Sequence, residues 1–145
     1  MRMNINDLEL NVAIAGNGPP LLLLHGFTGA IRSWEPFLPA WSKRYQTIAV
    51  DLIGHGKSAA PPDPERYTMQ HAVQDLTVLL DQLGIQQTSI LGYSMGGRLA
   101  LSFAALQPSR VRALLLESTS PGLANDEEKL NRMNHDHQLA DTIEQ

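Results

Sequence analysis

The six residues 92–97, Gly-Tyr-Ser-Met-Gly-Gly, constrain the fold more than any other stretch of this chain. Residues 88–91 before them form a short apolar run that predicts a buried strand, and residues 98–106 after them predict a helix. A strand, a Gly-x-Ser-x-Gly turn and a helix in succession are the context of a nucleophile elbow. We therefore expect the Ser94 hydroxyl to stand above the end of a strand. A glycine-rich turn with a surface serine is the alternative.

Two more loops follow predicted strands in the same way. The apolar residues 21–24 lead into His-Gly-Phe-Thr-Gly at 25–29, and residues 46–50 lead into the glycine-bracketed loop 51–58. Strands that alternate with helices predict an α/β fold, with a mostly parallel sheet and helices on both faces. Ligands bind beyond the carboxyl ends of such strands. The three loops are thus expected to meet at one rim.

Two helices are predicted between these strands. Residues 69–83 have an amphipathic pattern, with Thr68 as the expected N-cap and Gly84 just past the end. A second helix is predicted from apolar residues spaced i, i+3, i+4 and i+7, which are Trp34, Phe37, Leu38 and Trp41. The first two of these are expected in the core, although Trp34 is also a candidate to line a pocket.

Composition excludes several classes of function. The 145 residues predict one domain, and the net charge of −4 without a basic cluster argues against nucleic acid as a partner. No apolar run is long enough to span a membrane, and residues 1–7 lack the apolar core of a signal peptide. The chain has no cysteine, and its five histidines have no zinc-site spacing. We expect a cytoplasmic protein with no metal site and no membrane partner.

The loops at 24–27, 51–58 and 92–97 resemble those of the α/β-hydrolase family over about residues 8–117. The resemblance implies the α/β-hydrolase fold, with Ser94 as the catalytic serine. It also implies an oxyanion hole, made by the backbone N–H groups of Phe27 and Met95. Even without the resemblance, we favour a catalytic Ser94 over a surface serine in a turn, because a predicted strand precedes the motif and a predicted helix follows it.

Within the family, the elbow extended by Arg98 and the segment 116–123 resemble lyases of menaquinone biosynthesis. These lyases eliminate pyruvate from an enolpyruvyl cyclohexene carboxylate, so the implied partner is a small polycarboxylate substrate. The resemblance implies Tyr93, Arg98 and Arg132 as substrate contacts. The alternative for both arginines is that they are solvated helix residues with no role in binding. An esterase or C–C hydrolase, and a short non-catalytic binding protein, remain open.

The remaining catalytic groups are not evident in this chain. The family's triad runs in the order serine, acid, histidine. We expect residues 1–122 to form the N-terminal part of the core and 123–145 to begin a helical lid, so that the chain breaks off after the sixth strand. The acid and the histidine are then expected beyond Gln145, with Glu117 as a less favoured acid. His25 is expected to shape the oxyanion loop, and His55 to pack a loop.

Overall fold

A computed structural model describes residues 1–122 and 125–144 of the chain. Six strands form one sheet in the order β1-β2-β4-β3-β5-β6. Strands β3 to β6 are mutually parallel, whereas β1 and β2 are antiparallel to their neighbours. This arrangement confirms the predicted mostly parallel sheet. The strands are β1 (Arg2–Ile5), β2 (Leu8–Ala15), β3 (Pro20–Leu24), β4 (Gln46–Val50), β5 (Thr88–Tyr93) and β6 (Val111–Glu117).

Helices cover both faces of this sheet. On one face, α2 (Met69–Gln82) and α3 (Met95–Leu106) pack over the side chains of Leu22 and Leu24. The opposite face carries α1 (Leu38–Trp41), which packs with Trp34 over Leu21 and Leu23. Successive residues of β3 therefore enter two separate hydrophobic clusters, because side chains alternate along a strand. This two-sided burial explains the continuous apolar run of β3.

The predicted caps of α2 are present. The hydroxyl of Thr68 accepts a hydrogen bond from the backbone N–H of His71 at 3.3 Å, and Gly84 follows the helix with a φ of +69°. The core-facing side of this helix includes Val73, Leu76 and Leu80, all of which are buried. Helix α2 thus covers one face of the sheet together with α3.

The single helix predicted around Trp34 is wrong. The segment forms a 3-10 turn over Ile31–Ser33 and then the one-turn helix α1. Proline at 36 and at 39 removes two backbone donors, so a continuous helix cannot form across them. Trp34 is buried as expected, but Phe37 is 47% exposed and stacks on Trp41 with ring centroids 5.0 Å apart.

Strand β6 lies at one edge of the sheet and pairs with β5. Its apolar residues Leu115 and Leu116 are 48% and 41% exposed. Helix α4 (Asp126–Glu144) follows, and its side chain at Leu139 reaches the carboxyl end of the sheet. Residues 123, 124 and 145 lie outside the described residues, and so does the last position of the predicted 116–123 signature. Among the described helices, none combines the length and apolarity needed to cross a membrane.

Candidate active site

Ser94 lies at a strained turn between β5 and α3. Its φ of 51° and ψ of −111° fall outside the regions that L-residues ordinarily adopt. The Ser94 N–H donates to the carbonyl oxygen of Glu117 at 2.9 Å, and the Ser94 carbonyl accepts from the N–H of Arg98 at 3.1 Å. The turn is therefore held on one side by β6 and on the other by the first turn of α3. Since the helix begins at Met95, the Met95 N–H lies at its positive end.

Close packing at two glycines brings α3 against the sheet. A Cβ atom on Gly96 would lie 2.1 Å from the carbonyl oxygen of Leu24 at the end of β3. A Cβ atom on Gly97 would lie 1.9 Å from the hydroxyl oxygen of Thr119. Helix α3 consequently starts three residues earlier than the sequence predicted, because these glycines form its first turn against the ends of β3 and β6.

His25 orients the loop that follows β3. Its ring is buried, and Nε2 accepts a hydrogen bond from the Leu52 N–H at 3.0 Å. The proton must then be on Nδ1, which donates to the carbonyl oxygen of Gly26 at 2.7 Å. The Gly29 N–H donates to the same oxygen at 2.9 Å. Because the C=O and N–H of a trans peptide point in opposite directions, the Phe27 N–H is turned away from these partners.

Burial also keeps the His25 ring neutral. Desolvation lowers the pKa of His25, and the nearby His55 acts in the same direction, while the hydrogen bond to Gly26 opposes them. A neutral ring is the form that can accept from Leu52 and donate to Gly26 at once. The structure thus gives His25 the loop-shaping contacts that the sequence led us to expect.

The carboxylate of Asp51 connects three chain segments beside this loop. It accepts from the N–H of Ile31 at 2.6 Å, from the side-chain amide of Asn11 at 2.8 Å and from the N–H of Lys57 at 2.9 Å. Burial alone would raise the pKa of Asp51, but these hydrogen bonds outweigh that effect and lower it. A charged Asp51 therefore stabilises the rim on which the candidate site lies.

His55 packs between two loops, as predicted. Its Nε2 contacts the carbonyl oxygen of Phe27, and its Nδ1 lies 3.0 Å from the carbonyl oxygen of Ile53. The ring also lies 5.0 Å from that of His25, centroid to centroid. Both ring nitrogens thus lie against backbone carbonyl oxygens, and no hydrogen bond among the described residues joins His55 to Ser94.

A cleft above the sheet divides into two arms that share Ser94 and Phe27. The first, which we call the aromatic arm, has a volume of about 660 Å³. The second, which we call the cationic arm, has a volume of about 230 Å³. Lining residues of the aromatic arm include His25, Trp34, Phe37, Tyr93, Glu117 and Leu139. Besides the shared pair, the cationic arm is lined by Met95, Arg98, Arg132 and Asp136.

The structure thus brings all six predicted site residues to one cleft. Arg98 and Arg132 come from different helices, α3 and α4, and face the same small cavity beside Ser94. The Nε of Arg132 donates to Asp136 at 2.8 Å along α4. Within residues 1–122 and 125–144, the Arg98 guanidinium has no hydrogen bond or ion pair. Tyr93 lies in the other arm and is 46% exposed.

A general base for Ser94 is not found among the described residues. No histidine in that part of the chain is hydrogen-bonded to the Ser94 hydroxyl, and both nitrogens of His25 have backbone partners. Glu117 does line the aromatic arm, as an exposed carboxylate at the end of β6. The described residues include no cluster of three or more His, Cys, Asp or Glu side chains able to hold a metal ion.

Sequence reasoning missed two features of this site. Asp136 pairs with Arg132 inside the cationic arm, and an i, i+4 spacing of opposite charges was the available signal. The indole Nε1 of Trp34 is buried without a hydrogen-bond partner among the described residues. No sequence pattern reports an unpartnered donor, because the partners of a buried group come from distant segments.

Comparison with known proteins agrees with this geometry. The family described by the alpha/beta hydrolase fold matches residues 19–144 of the chain. The match covers well over half of the chain and includes all three loops that form the rim. The chain therefore belongs to the α/β-hydrolase family.

Relatives within the family differ in their assigned activities. The chain is 44% identical over 135 residues to a Bacillus subtilis (strain 168) protein provisionally named 2-succinyl-6-hydroxy-2,4-cyclohexadiene-1-carboxylate synthase, covering 90% of this chain and 49% of the relative. It is 43% identical over 114 residues to epoxide hydrolase 2 of Siraitia grosvenorii, covering 78% of this chain and 36% of the relative. The chain thus spans half or less of these relatives' length.

Solved structures share the fold. A variant of the meta-cleavage product hydrolase from Pseudomonas fluorescens superposes with a TM-score of 0.78 at 28% identity, over 87% of this chain and 47% of that one. An epoxide hydrolase from Vigna radiata superposes with a TM-score of 0.76 at 31% identity, over 80% of this chain and 38% of that one. These likenesses support an enzyme of hydrolase or lyase type.

Proposed function

We propose that this chain carries the serine, oxyanion and anion-binding elements of a 2-succinyl-6-hydroxy-2,4-cyclohexadiene-1-carboxylate synthase. Such an enzyme is a cytoplasmic lyase that eliminates pyruvate from an enolpyruvyl cyclohexene carboxylate and needs no cofactor. The observation that carries the proposal is the cationic arm, in which Arg98 and Arg132 face the same cavity as Ser94. The 44% identity to the Bacillus subtilis protein supports the same assignment.

Anion recognition is the first role of this site. A substrate with several carboxylates needs cations close to the reacting carbon. A guanidinium can hold a carboxylate through two parallel hydrogen bonds, and that of Arg98 has no partner within residues 1–122 and 125–144. Arg132 reaches the same cavity from α4, so an anion bound by both would tie α4 to the core. In this proposal, α4 acts as the beginning of the lid and Tyr93 contacts the substrate from the neighbouring arm.

Proton abstraction is the second role. Ser94, acting with a histidine, would remove a proton next to a substrate carbonyl, and the electron pair would delocalise onto the carbonyl oxygen. The electron pair then returns to form a ring C=C bond as the ring C–O bond breaks, and the departing enolpyruvate takes up a proton at its methylene carbon to become pyruvate. The N–H groups of Phe27 and Met95 would stabilise the enolate oxygen, and one such donor is worth about 2.7–4 kcal/mol. We place the histidine and its acid in a part of the enzyme outside this chain.

Turnover by the full-length protein tests the proposal. Pyruvate release from the enolpyruvyl substrate is measured for the wild type, Ser94→Ala and Arg98→Gln. Ser94→Ala should reduce kcat by far more than tenfold without loss of folding, because only a hydroxyl at the cleft is removed. Arg98→Gln should weaken the carboxylate contact by about 1.5–3 kcal/mol, or roughly 10–150-fold in kcat/KM. A wild-type protein that releases no pyruvate contradicts the proposal.

Hydrolysis of an ester or of a C–C bond is the second candidate function. The likeness to a meta-cleavage product hydrolase at a TM-score of 0.78 favours it. An acyl transfer would use the same serine and the same two N–H groups, but it would not require Arg98. Turnover of a neutral p-nitrophenyl ester that Arg98→Gln leaves unchanged, without pyruvate release from the anionic substrate, would favour hydrolysis, whereas equal losses on both substrates would mean that Arg98 supports the elbow. Binding without turnover of either would favour the non-catalytic alternative.

A further inference from the structure

The two arms of the Ser94 cleft carry charges of opposite sign. Glu117 lines the aromatic arm, whereas Arg98 and Arg132 line the cationic arm. Asp136 also lines the cationic arm, but it is paired with Arg132, so that this arm keeps a net positive charge. A ligand that extends into both arms therefore meets an anion at one end and a cation at the other.

The charge of Glu117 has no neutralising partner in the part of the chain that the structure describes. Its exposed carboxylate accepts a hydrogen bond from the Ser118 hydroxyl at 3.4 Å, and no Lys or Arg within residues 1–122 and 125–144 forms an ion pair with it. His25 lines the same arm, but its ring is neutral and its nitrogens have backbone partners. A carboxylate that entered the aromatic arm would thus meet a like charge without a compensating cation.

The other walls of the aromatic arm suit an uncharged ring. Phe37 is 47% exposed at this cavity, and it is held there by stacking on Trp41 with the two ring planes 14° apart. Phe27 and Tyr93, which line the same cavity of about 660 Å³, are exposed to a similar extent. A ring of the ligand can bury apolar surface against these exposed side chains. The aromatic arm therefore attracts a neutral ring and repels an anion.

We infer that Glu117 is a specificity-determining residue that excludes carboxylates from the aromatic arm and thereby orients the ligand. The uncharged ring of the ligand lies in the aromatic arm, and its carboxylates point toward Arg98 and Arg132. Ser94 lines both arms, so the reacting carbon lies between the two ends. This role differs from that of a triad acid, because Glu117 acts on the ligand through its charge. The inference rests on the proposed function for the carboxylate end only.

A set of matched probes tests this exclusion. The parent probe is 3-benzoylpropionate, which has a phenyl ring and one carboxylate, and two derivatives carry a carboxamide or a carboxylate of nearly the same shape at the para position. Dissociation constants are measured by calorimetry for the full-length wild type, Glu117→Gln and Glu35→Gln. The wild type should prefer the carboxamide. Glu117→Gln should reduce this preference roughly fivefold, which is the size of one unit-charge repulsion across about 4 Å of water. Glu35→Gln removes the same charge from a neighbouring cavity and should keep the preference.

Two measurements on the wild type need no variant. Raising the ionic strength from about 0.01 M to about 1 M shortens the screening length from about 30 Å to about 3 Å, so the preference for the carboxamide should shrink. A preference that came from shape would not respond, and that of Glu117→Gln should respond less. Nuclear Overhauser contacts between the ring protons of the carboxamide probe and the ring of Phe37 should place the probe in the aromatic arm.

Several results would overturn the inference. They are an unchanged preference in Glu117→Gln, an equal reduction in Glu35→Gln, a wild-type preference that salt does not alter, and a wild type that binds none of the probes. Loss of turnover in Glu117→Gln with an unchanged preference would also overturn it, in favour of a catalytic acid. Arg98→Gln separates the inference from the proposed function. If that change weakens none of the probes while the effect of Glu117→Gln remains, the proposed carboxylate site fails and the role of Glu117 stands.

Discussion

The backbone N–H of Leu52 and the Nε2 atom of His25 form a buried hydrogen bond of 3.0 Å. This bond joins the loop after β4 to the loop after β3, and it requires the proton of the ring to be on Nδ1. That proton in turn binds the carbonyl of Gly26 and turns the next peptide N–H, that of Phe27, the other way. One neutral imidazole therefore determines how a candidate oxyanion donor is presented.

We expect the free energy of unfolding to fall in mild acid because of His25. Its pKa is lowered in the folded state from an ordinary value of 6.5, so the unfolded state binds more protons once the pH drops below that value. The contribution of the neutral ring is complete above pH 6.5. It is lost as the pH falls toward the folded-state pKa, with a slope of at most about 1.4 kcal/mol per pH unit. Urea unfolding at several pH values measures it. His25→Gln should lack this slope, and His135→Gln on exposed α4 should retain it.

Position 94 should reverse the usual order of stability of alanine and glycine. The φ of 51° is strained for any residue with a Cβ atom, at about 1–3 kcal/mol. Glycine normally costs about 0.5–1 kcal/mol relative to alanine, through chain entropy. We therefore expect Ser94→Gly to be about 1 kcal/mol more stable than Ser94→Ala in chemical denaturation. At Ser102, within α3, the same pair should show the normal order; a normal order at position 94 would contradict the strained turn.

Thr119→Ala should restore stability lost in Gly97→Ala but not stability lost in Gly96→Ala. Gly97→Ala places a methyl group against the side chain of Thr119, and we expect a loss of about 1–3 kcal/mol. Removing that side chain with Thr119→Ala should recover a large part of the loss, which appears as a coupling energy in a double-mutant cycle. Gly96→Ala meets the backbone of Leu24 instead, so Thr119→Ala should not help it. Equal rescue at both positions would argue against this packing.

The Arg132–Asp136 pair should compete with anion binding in the cationic arm. Asp136→Asn frees the Arg132 guanidinium and removes a negative charge from the cavity. Because exposed ion pairs are worth up to about 1 kcal/mol, affinity for 3-benzoylpropionate should rise by up to roughly fivefold. Asp126→Asn, which releases Lys129 on the same helix, is the matched control and should change nothing. A weaker binding by Asp136→Asn would mean that Asp136 positions Arg132 for the ligand.

The outer edge of β6 should promote association of the 145-residue chain. Leu115 and Leu116 are exposed on a strand that pairs on one side with β5, and open apolar edges favour intermolecular pairing. Leu115→Lys should lower the sedimentation-average mass of the purified chain. Leu106→Lys adds the same charge at an exposed leucine of α3 and should leave the mass unchanged. A monomeric wild-type chain at high concentration would contradict the expectation.

The parts of the site that the sequence predicted are those with local signals. The elbow, the apolar β3 and the loop after it each have a glycine pattern or an apolar run of their own. The segment from Ile31 to Trp41 was mispredicted because its apolar spacing suits a helix, whereas two prolines prevent the hydrogen bonds of one. The side-chain periodicity thus predicted a helix that the backbone cannot form, because the two prolines lack N–H donors.

Contacts between distant segments carried no such signal. The carboxylate of Asp51 joins residues 20 and 40 positions away, at Ile31 and Asn11. The lack of a partner for Trp34 Nε1 in the described part of the chain, and the cavity shared by Arg98 and Arg132, likewise depend on how separate elements pack. The cationic arm was expected from resemblance alone, since no local sequence pattern determines that Arg98 of α3 and Arg132 of α4 line one cavity.

The hydrogen bonds of the Asp51 carboxylate affect the order in which parts of the molecule unfold in acid. Protonation of Asp51 would weaken its hydrogen bonds from Ile31, Asn11 and Lys57 together, and protonation of His25 would break the bond that its Nε2 accepts from the Leu52 N–H. Strands β3, β4 and β5 beneath carry no side chain that titrates in this range. The order of opening should therefore run from the rim inward. Hydrogen exchange at falling pH would lose the amides of Ile31, Leu52 and Lys57 first, while the strands stay protected, so the molecule would lose its ligand cleft before it loses its sheet.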